Sequence, residues 1–154
     1  MVSALAFSPG SGELLAAGTY LGGIGIYDTR TWEQLFLLKG HKGGITQVRT
    51  KKHCNTHTLS RCKPIHSVHQ VQFTPDGSFL LSGARQDGEL LCWDLRGGEA
   101  GEIYRMQRDT SATNQRVQFD VEPCGRHVLT GGSNGCVRVS KFLQKQAASI
   151  AMNA

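Results

Sequence analysis

The stretch from residue 71 to residue 95 constrains the fold more than any other part of this chain. It contains two turn signals, Pro75-Asp76-Gly77 and Asp87-Gly88, between runs of strand-forming residues. Proline presets φ at its turn position, and glycine accepts a positive φ. An Asp-Gly pair between apolar runs is typical of a two-residue hairpin. The stretch therefore predicts three short antiparallel strands, and we expect the chain around it to be all-β.

The same stretch ends on Trp93-Asp94, and a Gly40-His41 pair precedes it. A four-stranded unit bounded by Gly-His and Trp-Asp resembles a blade of the WD-repeat β-propellers. In that family a turn histidine, a strand hydroxyl, a turn aspartate and the tryptophan indole form one hydrogen-bonded network. The resemblance assigns these roles to four residues: His41, Ser82, Asp87 and Trp93. Their donors and acceptors are compatible, because aspartate can accept from imidazole, imidazole from hydroxyl, and hydroxyl from indole. A catalytic Ser-His-Asp set is the alternative interpretation, and the blade accounts for the same residues without it.

Three copies of the pattern can be aligned on Phe7, Phe73 and Phe119. The first interval is 66 residues and the second is 46, whereas a blade repeats every 40–45 residues or so. The excess lies between His41 and Phe73. The repeats predict an incomplete propeller of about two to three four-stranded antiparallel blades. In the second blade the first strand is expected at 67–73, with 44–48 competing for that place. In the third blade, strands are expected at 115–119, 126–131 and 135–139, without a fourth.

A repeated dipeptide indicates where the extra residues entered, because Gln47-Val48 recurs as Gln70-Val71. Removing residues 48–70 restores an unbroken blade start. We therefore predict four parts: 1–47 hold the first blade and the start of the second, 48–70 form a disordered basic insertion, 71–139 hold the second and third blades, and 140–154 form a non-homologous tail. Our hypothesis is that the insertion is translated, unspliced intron sequence that arises by alternative splicing. The tail is either read-through sequence of the same origin or a short helix with no partner.

The positive charge of the chain is concentrated in the same segment. The formal net charge is +5, and residues 49–70 carry five Lys and Arg side chains and no Asp or Glu. The charge therefore does not by itself indicate a basic binding face on the fold.

Six His and Cys residues between 53 and 69 have side chains that can bind zinc, but they lack the paired spacing of a zinc finger, so we predict no metal. No apolar run reaches the length of about 18 residues that spans a bilayer, so we predict no membrane partner.

Three strings together resemble the telomerase Cajal body WD-repeat proteins, a more specific family than WD repeats at large. They are residues 38–46, residues 81–96, and Thr113-Asn-Gln-Arg followed by Phe119-Asp. The resemblance covers about 1–47 and 71–139. It implies a nuclear scaffold without enzymatic activity or cofactor. Such a scaffold binds the CAB-box loop of telomerase RNA and of small Cajal body RNAs, recruits these particles to Cajal bodies, contacts telomerase ribonucleoprotein components and supports telomere maintenance.

Three basic side chains are candidates for RNA contact, because RNA recognition by a propeller would use loops at one rim. They are Lys42 after the Gly-His turn, Arg85 in the turn after the second strand, and Arg116. Two alternatives remain open at this point. The chain could be a protein-interaction propeller with no RNA role, or a splice-derived fragment with little activity.

Overall fold

The computed structural model describes residues 1–10, 12–41, 67–96 and 101–142 of the 154-residue chain. Within these ranges the chain forms eleven strands in three antiparallel sheets, and it forms no helix. The predicted all-β fold class is therefore confirmed. No helix in the described ranges is long and apolar enough to cross a membrane.

Each sheet is built from consecutive strands. The first sheet contains β1 Val2–Phe7, β2 Leu14–Thr19, β3 Gly23–Asp28 and β4 Gln34–Lys39. The second sheet contains β5 Val68–Phe73, β6 Phe79–Ala84, β7 Glu89–Asp94 and β8 Gly101–Gln107. The third sheet contains β9 Phe119–Val121, β10 His127–Gly131 and β11 Val137–Lys141, with β10 in the middle. This strand order is that of propeller blades joined by hairpin turns.

The two predicted turns of the second sheet differ in outcome. At Pro75-Asp76-Gly77 the Gly77 amide donates to the Thr74 carbonyl at 2.8 Å, and Gly77 has a φ of +73°. That turn is confirmed. At Asp87-Gly88 the prediction of a two-residue hairpin was wrong, because β6 ends at Ala84 and β7 begins at Glu89. The connection has four residues, with Gln86 at a φ of 54°, and it turns the Asp87 side chain into the protein interior.

The core lies between the sheets, which pack face to face. One cluster joins the first and second sheets, and it includes Ile24, Ile26, Val71, Phe73 and Trp93. The other joins the second and third sheets, and it includes Leu81, Leu90, Phe119 and Val128. Alternating side chains of each strand face opposite neighbours, so a middle sheet must be apolar on both faces. This explains why every residue of β6 is buried.

Strand β5 begins inside the segment predicted as an insertion. It starts at Val68, so the last three residues of 48–70 belong to a strand. Val68 is fully buried, and its Cγ1 atom lies 2.7 Å from where a Cβ on Gly18 of the first sheet would stand. Only glycine therefore fits opposite Val68. The competing strand at 44–48 and the rest of the insertion, up to residue 66, lie outside the described residues.

The strands of the third sheet are displaced from their predicted positions. Strand β9 covers 119–121 instead of 115–119. Val121 pairs with Val128 as Phe73 pairs with Leu80, so Val121 takes the place of Phe73. The sequence alignment that matched Phe119 with Phe73 was therefore wrong by two residues.

The first residues of the predicted tail are part of the third sheet. Strand β11 runs to Lys141, past the predicted end at 139. Phe142 is buried, and its ring packs edge to face on Phe79 with centroids 5.5 Å apart. Burial of this aromatic ring favours continuation of the strand into the tail. Residues 143–154 lie outside the described residues.

Candidate functional site

Four polar side chains at the second sheet, one of them from the connection that follows β4, form one buried chain of hydrogen bonds. His41 Nδ1 lies 2.8 Å from Asp87 Oδ2, and His41 Nε2 lies 2.8 Å from Ser82 Oγ. The Trp93 indole N–H donates to the same Ser82 oxygen at 2.9 Å. Because a carboxylate only accepts, the imidazole donates from Nδ1 and accepts the serine hydroxyl at Nε2. The structure therefore brings together the four residues that the WD-repeat resemblance selected.

The position of this network gives it a structural role. Ser82 has no exposed surface and Trp93 is 2% exposed, so a substrate cannot reach the serine oxygen in this arrangement. Each buried polar atom of the chain from indole to carboxylate has a partner, and such satisfied networks fix one arrangement of a core. The network ties the connection before β5 to strands β6 and β7. Because Asp87 belongs to the β6–β7 turn, the network also fixes the position of that turn.

The residue before His41 explains why the motif needs glycine. A Cβ on Gly40 would lie 2.6 Å from Trp93 Cη2 and 2.9 Å from Glu102 Oε2. Any other residue would push the indole away from Ser82. The Gly-His pair therefore combines a close backbone approach with a buried hydrogen-bonding ring.

A second hydrogen-bonded group forms the rim of the second sheet beside this network. The Arg108 guanidinium donates to the carbonyls of Ala84, Asp87 and Val117 at 2.6, 3.2 and 3.2 Å. The Thr110 hydroxyl donates to the Asp87 carbonyl at 2.6 Å. Arg108 is 5% exposed, and burial lowers its pKa to about 10. These bonds join the β6–β7 turn to the connection between β8 and β9, so the two loops form one surface.

His69 lies where these loops meet the start of β5. Its Nε2 donates to the Val117 carbonyl at 2.9 Å, and its Nδ1 is buried without a hydrogen-bond partner among the residues described. Burial lowers the pKa of His69, and the positive charges of Arg108, Arg85 and Arg116 lower it further. Three arginine charges therefore act on this imidazole, and one of them, Arg108, donates to the same Val117 carbonyl as His69.

The structure locates two of the three candidate RNA contacts at this rim. Arg85 is half-buried in the β6–β7 turn, and its amide donates to the Ser67 carbonyl at 3.0 Å. Arg116 is exposed on the connection between β8 and β9. Lys42 lies outside the described residues. Sequence reasoning missed Arg108 and His69 as members of this rim, because no motif marks either residue and the contacts that define them join separate strands.

The name rim is used here for four residues: Arg85, Arg108, Arg116 and His69. Its members lie around the carbonyls of Ala84 and Val117. Arg108 is held by the backbone, so it organises the surface. Arg116 projects into solvent, where it can meet an anion.

Comparison with known proteins shows which families and proteins this sequence resembles. Residues 54–94 match the WD40 family model, described as the WD domain, G-beta repeat. Over 140 residues, or 90% of this chain, the sequence is 39% identical to telomerase Cajal body protein 1 of Mesocricetus auratus and 37% identical to that of Homo sapiens. The chain spans about one fifth of these relatives, 21% in each case. The resemblance noted in the sequence is therefore confirmed.

The fold also resembles a solved structure. A chain of the mitotic checkpoint complex superposes with a TM-score of 0.60 at 17% identity, over 92% of this chain and 36% of that one. At this identity the likeness concerns the fold alone. Together with the WD40 match and the three antiparallel sheets, it confirms the prediction of an incomplete WD-repeat propeller. The WD40 match begins inside the segment 48–70, so the boundaries of the insertion stay a prediction.

Proposed function

We propose that this chain, a WD-repeat protein that resembles part of telomerase Cajal body protein 1, is a non-enzymatic scaffold that binds RNA at the rim. Its similarity to that protein over 90% of the chain supports telomerase RNA and small Cajal body RNAs as ligands. The same similarity supports telomerase ribonucleoprotein components as partners, and the nuclear Cajal body as the location. Because the chain spans about one fifth of its relatives, these roles are inferred for the surface that it retains.

The observation that carries the proposal is the shared Val117 carbonyl, to which both Arg108 and His69 donate at the rim. The charges of Arg108, Arg85 and Arg116 also lower the pKa of the His69 imidazole, so three positive charges act on this part of the surface. Phosphate oxygens are attracted to such a surface, and arginine planes can also stack on unpaired bases. The buried hydrogen bonds of Arg108 fix the two loops, so the rim is organised before a ligand arrives.

We propose that the ligand of the rim is a folded RNA loop and not a duplex. At the rim the connection between the second and third sheets contacts the β6–β7 turn, and Arg116 of that connection is exposed. RNA loops present unstacked bases together with closely spaced phosphates, and proteins recognise them by stacking and by base-edge contacts. We therefore assign phosphate contact to Arg116 and contact with phosphate or base to Arg85. Lys42 follows His41 in the chain and is proposed as a third contact.

The decisive experiment compares a CAB-box stem-loop with the same RNA carrying a mutated CAB box. Fluorescence anisotropy at moderate salt should give tighter binding to the intact box. Arg116→Ala should weaken that binding about five- to tenfold, and it should reduce the slope of log affinity against log salt by about one. Arg126→Ala is the matched control, because Arg126 is an exposed arginine in the β9–β10 turn at the opposite end of the third sheet.

Two outcomes would contradict this function. Equal affinity for the intact and mutated box would mean that the basic side chains attract any polyanion, as the charged stretch from 49 to 63 can do by itself. Equal losses from Arg116→Ala and Arg126→Ala would mean that the rim is not the contact surface. The interpretation as a protein-interaction propeller, or as a splice-derived fragment with little activity, would then replace RNA recognition.

A further inference from the structure

We propose that Gln86, at the tip of the turn between β6 and β7, recognises an unpaired adenine of the RNA that the rim binds. This inference rests on the proposed function, because it assigns one base contact within that RNA. Phosphate contacts made by arginines position an RNA but carry no information about its sequence, so recognition also needs a side chain that contacts a base edge.

The backbone of Gln86 is held in a conformation that residues other than glycine rarely adopt. Its φ is 54°, in the left-handed region, where the Cβ atom crowds the following carbonyl oxygen. In the corresponding turns of the first and third sheets the left-handed residue is a glycine, Gly22 at a φ of 79° and Gly135 at a φ of 80°. Strained residues persist where neighbouring contacts fix them, and they cluster at ligand sites. A glutamine in this place therefore indicates a role for its side chain.

Contacts on both sides of Gln86 impose this conformation. Before it, the Arg85 amide donates to the Ser67 carbonyl at 3.0 Å. After it, the Asp87 carbonyl accepts from the Thr110 hydroxyl at 2.6 Å, and the Asp87 carboxylate belongs to the buried network. Both neighbours of Gln86 are therefore fixed, and the direction of its Cα–Cβ bond is set before a ligand arrives.

The side-chain amide of Gln86 is unpaired and accessible. The residue is half-buried, and its amide makes no hydrogen bond to the residues that the structure describes. Within that part of the chain, the buried side-chain polar atom that lacks a partner is His69 Nδ1, so the unpaired oxygen and nitrogen of Gln86 reach the surface. An amide with both atoms free offers an acceptor and two N–H donors to a ligand.

Adenine is the base whose edges best match a glutamine amide. Oε1 can accept from the N6 amino group while Nε2 donates to a ring nitrogen, which is the pairing that glutamine makes with adenine in DNA. The amino group of adenine lies between two ring acceptors, N1 and N7, so two of its edges fit, and RNA loops expose both edges. Arg85 and Gln86 are adjacent in the turn, so one nucleotide can contact Arg85 with its phosphate and Gln86 with its base.

RNA variants that lack one amino group test this contact. The RNA is the CAB-box stem-loop, in which each loop adenine is replaced in turn by purine riboside, the same base without its N6 amino group. Fluorescence anisotropy should show that one of these replacements weakens binding to the parent chain about tenfold. Gln86→Ala should bind the intact loop about tenfold more weakly, and the same replacement should then cause no further loss. Gln34→Ala is the matched control, because Gln34 is an exposed glutamine on β4, beside the β3–β4 turn of the first sheet. It should keep the tenfold difference.

Gln86→Gly separates the base contact from the backbone strain. Glycine adopts a positive φ without a steric cost, so this variant should unfold at a higher urea concentration than Gln86→Ala. It should nevertheless show the same loss of RNA affinity. Greater stability together with weaker recognition is the result expected for a residue that contacts the ligand.

The contradicting outcomes distinguish this contact from the proposed function. A parent chain that distinguishes the intact from the mutated CAB box but tolerates every adenine replacement would refute the contact alone. So would a Gln86→Ala variant that keeps the tenfold difference. A parent chain that binds the intact and the mutated box equally would refute the proposed function as well.

Discussion

Ser82→Ala is the substitution that most directly probes the buried network. The serine oxygen accepts from the Trp93 indole N–H and donates to His41 Nε2. Alanine fills nearly the same space but leaves the indole donor and the imidazole acceptor buried without partners. The Asp87 carboxylate would still orient the imidazole through Nδ1, so the ring cannot simply turn to find a new partner.

The expected loss follows from the number of groups left unpaired. Each buried polar group that loses its partner costs about 1–3 kcal/mol. Two such groups give about 2–6 kcal/mol, and alanine offsets part of this because it brings no polar atom of its own, so we expect a loss of about 2–4 kcal/mol. A small domain has only about 5–15 kcal/mol of stability. The variant should therefore unfold at a clearly lower urea concentration, with an unchanged dependence of the unfolding free energy on urea.

Thr130→Val provides the comparison at the equivalent place in the third sheet. Thr130 pairs with Phe119 as Ser82 pairs with Val71, and it is also buried. Among the described residues its hydroxyl makes one local bond, to the Gly131 carbonyl at 3.2 Å, so its removal should cost no more than about 1 kcal/mol. Urea denaturation followed by circular dichroism measures both variants. If Ser82→Ala loses no more stability than Thr130→Val, the network does not hold the second sheet as described.

Three further predictions rest on separate observations. Trp32 is 64% exposed at a φ of 60°, so Trp32→Gly should raise stability by about 1 kcal/mol in urea melts; a lower stability would mean that the indole packs favourably. Gly18→Ala should lower the melting temperature because its Cβ would meet Val68, and adding Val68→Ala should restore part of that loss; a double variant no more stable than Gly18→Ala would contradict the clash. His69 has a lowered pKa in the folded state, so its contribution to stability is present above about pH 6.5 and is lost as pH falls below it; His69→Gln should flatten that part of the stability profile, and an unchanged profile would refute the assignment.

Local sequence rules predicted much of the second sheet because they act over a few residues. The turn at Gly77 depends on a proline and a glycine that restrict φ, and its hydrogen bond spans three residues. The strands depend on apolar and β-branched residues that alternate or run together. The WD-repeat resemblance then selected His41, Ser82, Asp87 and Trp93, and the structure brings these four together. The recognition of the family needed no more than such strings.

The same rules failed where packing between sheets decides the outcome. Asp87-Gly88 has the composition of a tight hairpin, but Asp87 contacts a histidine 46 residues away and the turn lengthens to allow this. Phe142 lies in a tail without a repeat pattern, yet burial against Phe79 makes it part of the core. Neither contact could be predicted from residues that lie close together in the sequence.

The sequence by itself determined the strand-rich class, the family resemblance and the residues of the buried network, because these depend on backbone preferences and on short motifs. Tertiary structure alone decided which arginine charges act on His69, since the rim joins β5 to two loops that contact one another through Arg108. It also decided which apolar faces lack a neighbouring sheet among the described residues. Burial is a property of sheet packing, and identical alternation in a strand gives Phe73 a covered ring and Phe7 an exposed one.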